Sequence, residues 1–169
     1  MYSSEIYTHW EEIQRQKYVE ILNVLGARFV RELFSKSPVL DLGFGSGYLE
    51  QFLHDNNILV DVIGVDVDKW TLKQSGYPKV VIGNGNALPF KDETFWFLVS
   101  VDTMHLISTT DFARVLKKGG IVIFTTVFNW SNYDERVRVV KEKLAGFEIV
   151  TEFEVHGKEN DYVILAQKK

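Results

Sequence analysis

A short apolar segment meets a glycine-rich turn at Val39-Leu-Asp-Leu-Gly-Phe-Gly-Ser-Gly-Tyr48. The apolar residues predict a buried strand, and the residues from Tyr48 onward predict the start of a helix. The three glycines between them let the backbone turn sharply and approach a ligand that a Cβ atom would push away. Asp41 lies at the tip of the strand, where a ligand must carry positive charge or donate protons. The segment therefore predicts a nucleoside cofactor site between a strand and a helix.

The glycine spacing distinguishes two kinds of cofactor. A dinucleotide-binding loop has the pattern Gly-x-Gly-x-x-Gly and seats a pyrophosphate on the N-terminus of its helix. In this chain Tyr48 occupies the position of the third dinucleotide glycine, and Asp41 would repel a pyrophosphate. S-adenosylmethionine carries an ammonium and a sulfonium and no phosphate. The pattern Asp-x-Gly-x-Gly-x-Gly resembles the first motif of class I S-adenosylmethionine-dependent methyltransferases.

Length and composition exclude several other classes. The chain has 169 residues, of which 46% are hydrophobic, and this suits a single domain over residues 1–169. No apolar run approaches the ~20 residues that span a bilayer, and no signal peptide is recognisable, so we expect a cytoplasmic protein without membrane contact. The absence of cysteine excludes disulfides, thiolate metal sites and a cysteine nucleophile. We predict no metal site, and the net charge of −4 gives no general attraction for nucleic acid.

The hydrophobic pattern predicts alternating strands and helices. We expect an α/β fold, with a doubly wound, mostly parallel seven-stranded sheet that ends in an antiparallel hairpin and an N-terminal helical segment. The resemblance implies the strand order 3-2-1-4-5-7-6. Three parts follow: an N-terminal helical cap (1–37), a cofactor-binding core (38–128), and a C-terminal helix with the hairpin (129–169). Predicted strands cover 39–42, 60–65, 79–82, 95–101, 121–128, 147–155 and 161–167; predicted helices cover the N-terminal segment to residue 25, then 27–34, 48–56, 69–74, 110–116 and 133–145.

Acidic residues follow the second predicted strand. Asp66 comes about 20 residues after the glycines, where a carboxylate can accept hydrogen bonds from both ribose hydroxyls. Asp68 is better placed to cap the short helix that follows. A helix cap is also the alternative role for Asp66.

Two further segments resemble the same methyltransferase family. Gly83-Asn-Gly-Asn-Ala-Leu-Pro-Phe90 is similar to its Gly-Asp-Ala-x-x-Leu-Pro-Phe segment, with Asn84 in place of the acid that accepts from the adenine amino group. Asn86 takes that role if the register slips by two. Arg114-Val-Leu-Lys-Lys-Gly-Gly120 is similar to the turn before the fifth strand. The resemblance, which spans residues 38–128, implies cofactor contacts at Asp41, Gly43, Phe44, Gly45, Gly47, Tyr48, Asp66, Val67, Asn84, Gly85 and Ser100.

The residues just past the fourth strand are the candidates for catalysis. Asp102 and His105 would face the transferred methyl group, and His105 has an intrinsic pKa suited to a base near neutrality. The alternative is that His105 only shapes the pocket. After the fifth strand, the aromatic residues Phe128, Trp130 and Tyr133 either contact a planar acceptor or pack against the N-terminal helix. Tyr2 and Tyr7 are candidates to close over the methionine end of the cofactor.

Three functions remain open. The first is an S-adenosylmethionine-dependent methyltransferase with a small-molecule acceptor, alone, as a homodimer or with a partner subunit. The second is a cofactor-binding but inactive regulatory or partner subunit, or a methyltransferase that acts on RNA or protein with a partner. The third is a dinucleotide oxidoreductase, against which the glycine spacing and the Leu-Pro-Phe segment both argue. The sequence does not identify the acceptor.

Overall fold

The computed structural model describes residues 4–36, 38–59 and 61–169, with side chains from residue 10 onward. Helices and strands alternate through the middle of the chain, as the hydrophobic pattern predicts. The helices are α1 (Ser4–Leu25), α2 (Ala27–Phe34), α3 (Tyr48–Asp55), α4 (Lys69–Ser75), α5 (Asp111–Val115) and α6 (Tyr133–Lys143), with a 3-10 turn at Met104–Leu106.

The strands form one sheet in the described part of the chain. They are β1 (Val39–Leu42), β2 (Val62–Asp66), β3 (Val80–Ile82), β4 (Phe95–Ser100), β5 (Leu116–Phe128), β6 (Phe147–His156) and β7 (Asn160–Lys168). Their order is β3-β2-β1-β4-β5-β7-β6, with parallel pairing up to β5 and antiparallel pairing of β7 with β5 and β6. Both the predicted fold class and the implied strand order are confirmed.

The largest difference from the predicted elements lies before β5. The segment Lys117–Gly120, expected to be a turn, belongs to the strand, because β5 begins at Leu116 and pairs there with Phe95. The register shifts between Phe95 and Phe97, and Gly119 has a φ of 74°. A bulge of this kind absorbs extra residues without ending the strand, so the glycines do not stop it. The second strand starts at Val62; residue 60, where its start was predicted, lies outside the described residues.

Two apolar clusters cover the two faces of the sheet. One contains Phe95, Phe112, Phe124 and neighbours from α5 and α6, and the other contains Phe97 with residues from α1, α2 and α3. Burial on both faces explains the nearly continuous apolar sequence of β4. None of the described helices combines the length and apolarity that a bilayer crossing requires. Helix α1 packs against α3, and this contact brings it to the carboxyl edge of the sheet.

Candidate functional site

The glycine-rich loop between β1 and α3 is held open by positive backbone angles. Gly43, Gly45 and Gly47 have φ values of 90°, 55° and 78°. At Gly43 a Cβ atom would overlap the side chain of Thr103, so the site admits no side chain. At Gly45 the nearest atom to a Cβ would be the Gly43 carbonyl oxygen at 4.0 Å, so this part of the loop faces open space. The loop therefore leaves its backbone free for close approach by a ligand.

A cavity of about 280 Å³ lies between this loop and helix α1, and we call it the loop cavity. Helix α1 forms one wall with Trp10, Gln14 and Tyr18. Six residues predicted from the sequence line it, the first five as cofactor contacts: Asp41, Gly43, Phe44, Gly45, Tyr48 and Asp102. Gly47 lines a second, more open cavity on the other side of the loop.

The two acids after β2 have different partners. One oxygen of Asp66 accepts a hydrogen bond from the backbone N–H of Gly45 at 2.9 Å, and the other accepts from the N–H of Asp68 at 2.9 Å. Lone pairs on both oxygens remain for further donors. Asp68 accepts from the N–H groups of Trp70 and Thr71, so its predicted role as the cap of α4 is confirmed. Val67, between them, is 67% exposed beside the loop.

The segment after β3 brings Asn84 and Gly85 to the same edge of the sheet. The amide oxygen of Asn84 accepts hydrogen bonds from the backbone N–H and the side-chain amide of Asn86. The group that Asn84 presents to a ligand is therefore its amide NH2. Asn86 uses its own oxygen to hold the backbone of Ser108 and Thr109, so the amide oxygen already has donors in both registers and the choice between Asn84 and Asn86 stays open. Gly85 is buried, since a Cβ atom would lie 2.7 Å from the side chain of Ile107.

The methyltransferase domain family matches residues 40–124, half of the chain. The chain belongs to this family. It is a class I, Rossmann-like methyltransferase domain, and S-adenosylmethionine is the cofactor of such domains. No curated protein sequence matches the chain.

Solved structures with the same fold come from several organisms. A S-adenosylmethionine-dependent methyltransferase from Aquifex aeolicus is 20% identical, with a TM-score of 0.60, over 78% of this chain and 81% of that one. The PH0226 protein of Pyrococcus horikoshii OT3 is 16% identical, with a TM-score of 0.68, over 91% and 92%. A methyltransferase solved in complex with the Trm112 activator of Haloferax volcanii is 15% identical, with a TM-score of 0.59, over 94% and 96%. At these identities the likeness supports the fold alone.

Two features of this methyltransferase domain fit S-adenosylmethionine. The open backbone at Gly45 leaves room for a nucleoside beside the loop. Beneath the loop, Asp41 and Glu50 are two buried acids (3% and 5% exposed) with unpartnered oxygens among the described residues, and an ammonium group would satisfy them. We call Asp41 and Glu50 the carboxyl pair. No pattern in the sequence marked Glu50, because acids in the first turn of a helix are common on exposed faces.

A second group of buried charges lies where α1 crosses the sheet edge. Lys17, only 3% exposed, forms ion pairs with Asp102 and, at 3.0 Å, with Asp161, while Glu159 lies 3.9 Å away. We call Lys17, Asp102, Glu159 and Asp161 the lysine cluster. Asp102 has a φ of 52°, and its carboxylate also accepts from the hydroxyl of Thr125 at 2.7 Å. Lys17 was not predicted, because it occurs within an amphipathic helix whose polar residues normally face solvent.

The charges of the lysine cluster balance one another. Burial would lower the pKa of Lys17, but the charges of Asp102 and Asp161 outweigh it and raise the pKa. Burial would raise the pKa of Asp102, but the ammonium of Lys17 and the hydrogen bonds to Asp102 lower it. For Asp161, burial and the charge of Asp102 raise the pKa to about 7, against the opposing effect of Lys17. Asp102 is therefore the carboxylate that Lys17 keeps ionised.

The other two residues predicted at the tip of β4 differ in accessibility. Ser100 is fully buried, and its hydroxyl donates to the carbonyl of Leu42 at 2.7 Å, so the fold gives it a structural partner between β1 and β4. His105 lies on the 3-10 turn, and its buried Nδ1 has no hydrogen-bond partner among the described residues. Burial, followed by the charge of Arg136, lowers the pKa of His105, against Asp102. The imidazole is therefore neutral at neutral pH.

The aromatic residues after β5 pack against one another. Phe128 contacts Trp130 and Tyr133 at ring-centroid distances of 5.5 and 4.8 Å. Trp130 is 71% exposed and stacks on His156 at 6.1 Å. Among the side chains that the structure describes, the ring contacts of this group reach His156 and Tyr162 of the hairpin rather than α1. Tyr2 lies outside the described residues, and the side chain of Tyr7 is not described either.

Proposed function

We propose that this chain is a S-adenosylmethionine-dependent methyltransferase that acts on a small-molecule acceptor, as one domain over residues 1–169. The observation that carries the proposal is the loop cavity, where an open glycine loop, the buried Asp41 and the tip of β4 meet on one edge of the sheet. In an open α/β sheet, ligands bind at this edge, near the point where the strand order reverses. Family membership supports the same reading.

We assign the adenosine half of the cofactor to the tips of β2 and β3. Asp66, already oriented by the Gly45 N–H, accepts from the ribose hydroxyls. Val67 packs against the adenine, and Asn84 and Gly85 hydrogen-bond its edge. The loop backbone and Tyr48 contact the remainder, which extends into the loop cavity. When bound, the cofactor supplies an electrophilic methyl group on a sulfonium.

The contribution of the protein to transfer is mainly alignment of the two reactants. Asp102 lines the loop cavity and is held in place by Lys17 and Thr125, so it supplies a fixed negative charge at the methionine end of the site. His105, neutral and partly buried, is the better candidate for a base where the acceptor arrives protonated. The exposed face of Trp130 stacks a planar acceptor.

A second candidate function has its own observation. The Haloferax volcanii neighbour, which was solved with a methyltransferase activator, matches nearly the whole of both chains. By analogy, this chain would need a partner subunit for transfer to RNA or protein, or would itself be an inactive cofactor-binding subunit. Cofactor binding without transfer by the isolated chain would favour this alternative.

The decisive experiment is calorimetric titration with S-adenosylhomocysteine, with NADH as the parallel control. We expect saturable binding of S-adenosylhomocysteine alone, after which acceptors are screened with labelled cofactor. Binding of NADH in preference would contradict the proposal. If Trp130→Ala loses methyl transfer to planar small molecules but still binds S-adenosylhomocysteine, the assignment of Trp130 to the acceptor is supported. Transfer that occurs only after addition of a partner protein would support the alternative function.

A further inference from the structure

The carboxyl pair beneath the glycine loop has no cation of its own. Asp41 ends up in the interior at the end of β1, and Glu50 points inward from the first turn of α3. Both oxygens of Glu50 and Oδ1 of Asp41 are buried and receive no hydrogen bond from the side chain of any third described residue, while the two carboxyl groups lie within hydrogen-bond reach of each other and can share a proton. No lysine or arginine side chain described in the structure forms an ion pair with either acid. Burying a carboxylate in this state is costly unless a proton or a cation neutralises it.

The surroundings of the pair increase that cost. Asp66 faces Asp41 from the tip of β2, and the buried hydroxyl of Tyr18 faces both acids from α1. Tyr77, before β3, faces Glu50. Burial raises the pKa of Glu50 to about 7, and burial together with Glu50 raises the pKa of Asp41 well above its usual range. Below neutral pH the pair therefore holds a proton.

The carboxyl pair lies at the base of the glycine loop that a ligand would approach. Asp41 lines the loop cavity, and Oε2 of Glu50 lies 3.8 Å from the point where a Cβ atom of Gly47 would be. Glu50 lines the second cavity together with Gly47, so the two acids meet beneath the loop, between that cavity and the loop cavity. A ligand group that is small and positively charged would replace the proton at the lowest electrostatic cost.

We propose that the Asp41–Glu50 pair forms a proton-linked ammonium site, in which Glu50 supplies a second carboxylate for the amino-acid end of the cofactor. This inference rests on S-adenosylmethionine being the cofactor. In the free protein the pair holds at least one proton below neutral pH. When the ammonium binds, both carboxylates become ionised and the proton passes to the solvent, so cofactor binding and proton release are linked.

The test is calorimetric titration of the full chain with S-adenosylhomocysteine at pH 6.0, in buffers that differ in ionisation enthalpy. The dependence of the heat on that enthalpy counts the protons released. We expect at least about one proton per ligand bound, because the Glu50 carboxyl, with its pKa raised to about 7, is almost fully protonated at this pH. 5′-Methylthioadenosine, which has the adenosine and the sulfur but lacks the ammonium, should bind with release of close to none.

Variants separate Glu50 from other titrating groups. Glu50→Gln keeps the shape and removes the ionisation of Glu50, so proton release with S-adenosylhomocysteine should fall by about one proton per ligand, whereas the exposed Glu142→Gln should behave as wild type. Affinity for S-adenosylhomocysteine in the wild type should also rise about eightfold from pH 6.0 to 7.5. This measurement uses only the wild-type protein, so it does not depend on whether a variant folds.

Three results would overturn the inference. These are undiminished proton release in Glu50→Gln, equal release with 5′-methylthioadenosine, or wild-type binding at pH 6.0 without release. The failure of the proposed function is recognisable separately, since neither adenosine ligand would then bind at any pH.

Discussion

The carboxyl pair and the lysine cluster are both buried groups of acids beside the loop cavity, but only one contains a cation. In the lysine cluster, Lys17 neutralises Asp102 and brings α1 against the sheet edge. In the carboxyl pair, Asp41 and Glu50 face each other, and no lysine or arginine side chain described in the structure pairs with either acid. A buried group of acids that contains its own cation stabilises the fold. A group without a cation destabilises the fold and favours binding of a positively charged ligand. The next three experiments test this difference, beginning with the largest expected effect, and a fourth compares the two acids after β2.

Replacing Lys17 by methionine should destabilise the protein most. The change leaves Asp102 and Asp161 buried without their counterion, and breaking a buried ion pair in this way costs about 3–5 kcal/mol. Urea unfolding at pH 7.5 measures the loss. Lys158→Met, which removes a more exposed lysine paired with Glu12, should cost less than about 1 kcal/mol. Equal stability of the two variants would show that the cluster is not a structural unit.

Replacing Glu50 by leucine should stabilise the protein, which is the opposite of the effect expected for Lys17→Met. A buried acid with its pKa raised to about 7 costs the fold about 2–3 kcal/mol once it is ionised, so the variant should gain that amount at pH 7.5. The exposed Glu142→Leu should change the free energy of unfolding by no more than about 0.5 kcal/mol. A loss of stability in Glu50→Leu would mean that Glu50 already has a stabilising partner.

The stability of the wild type should fall as the pH rises from about 4.5 to 7. In this window the folded state holds protons on Glu50 and Asp161 that the unfolded chain has released, because both pKa values are raised to about 7. The free energy of unfolding therefore decreases with pH. In Glu50→Gln only part of this decrease should remain, and it reports Asp161 together with Asp41 and Glu159, whose pKa values burial also raises. Urea unfolding at several pH values measures both slopes; an increase with pH in this window would contradict the assignment.

The smallest effects should separate the two acids after β2. Asp66→Ala should weaken binding of S-adenosylhomocysteine by about 1.5–3 kcal/mol, the contribution of hydrogen bonds to a charged group. Asp68→Ala should leave that affinity unchanged and instead lower the stability by about 1 kcal/mol, since it removes the cap of α4. Calorimetry measures the ligand affinity of both variants, and urea unfolding measures their stability. Unchanged affinity in Asp66→Ala would remove Asp66 from the cofactor site.

The predictable features were those with a local cause. The positive φ angles of the glycine loop and the alternation of strands and helices follow from the residues themselves, and so does the cap at Asp68. Family resemblance added the strand order. The strand at Lys117–Gly120 was missed because its pairing with β4 comes from a distant part of the chain.

The buried charges were also beyond sequence reasoning. Polar residues in helices usually face solvent, and nothing near Lys17 or Glu50 indicates that their helices turn these side chains inward. Their burial depends on the contact of α1 with α3 and the sheet, which joins segments far apart in the chain. The catalytic roles of Asp102 and His105 remain predictions, as do the individual cofactor contacts.

The ion pair between Lys17 and Asp161 joins the beginning of the chain to its end, which matters while the protein is being synthesised. At about 5–20 residues per second, the ribosome takes on the order of 10–30 s to add the residues between them. Helix α1 emerges before β7, so its buried lysine meets Asp161 only when β7 forms. A lysine ammonium is well hydrated during that interval and does not promote aggregation as an exposed apolar residue would. This late contact between distant segments is thus made by a side chain that remains hydrated until its partner is available.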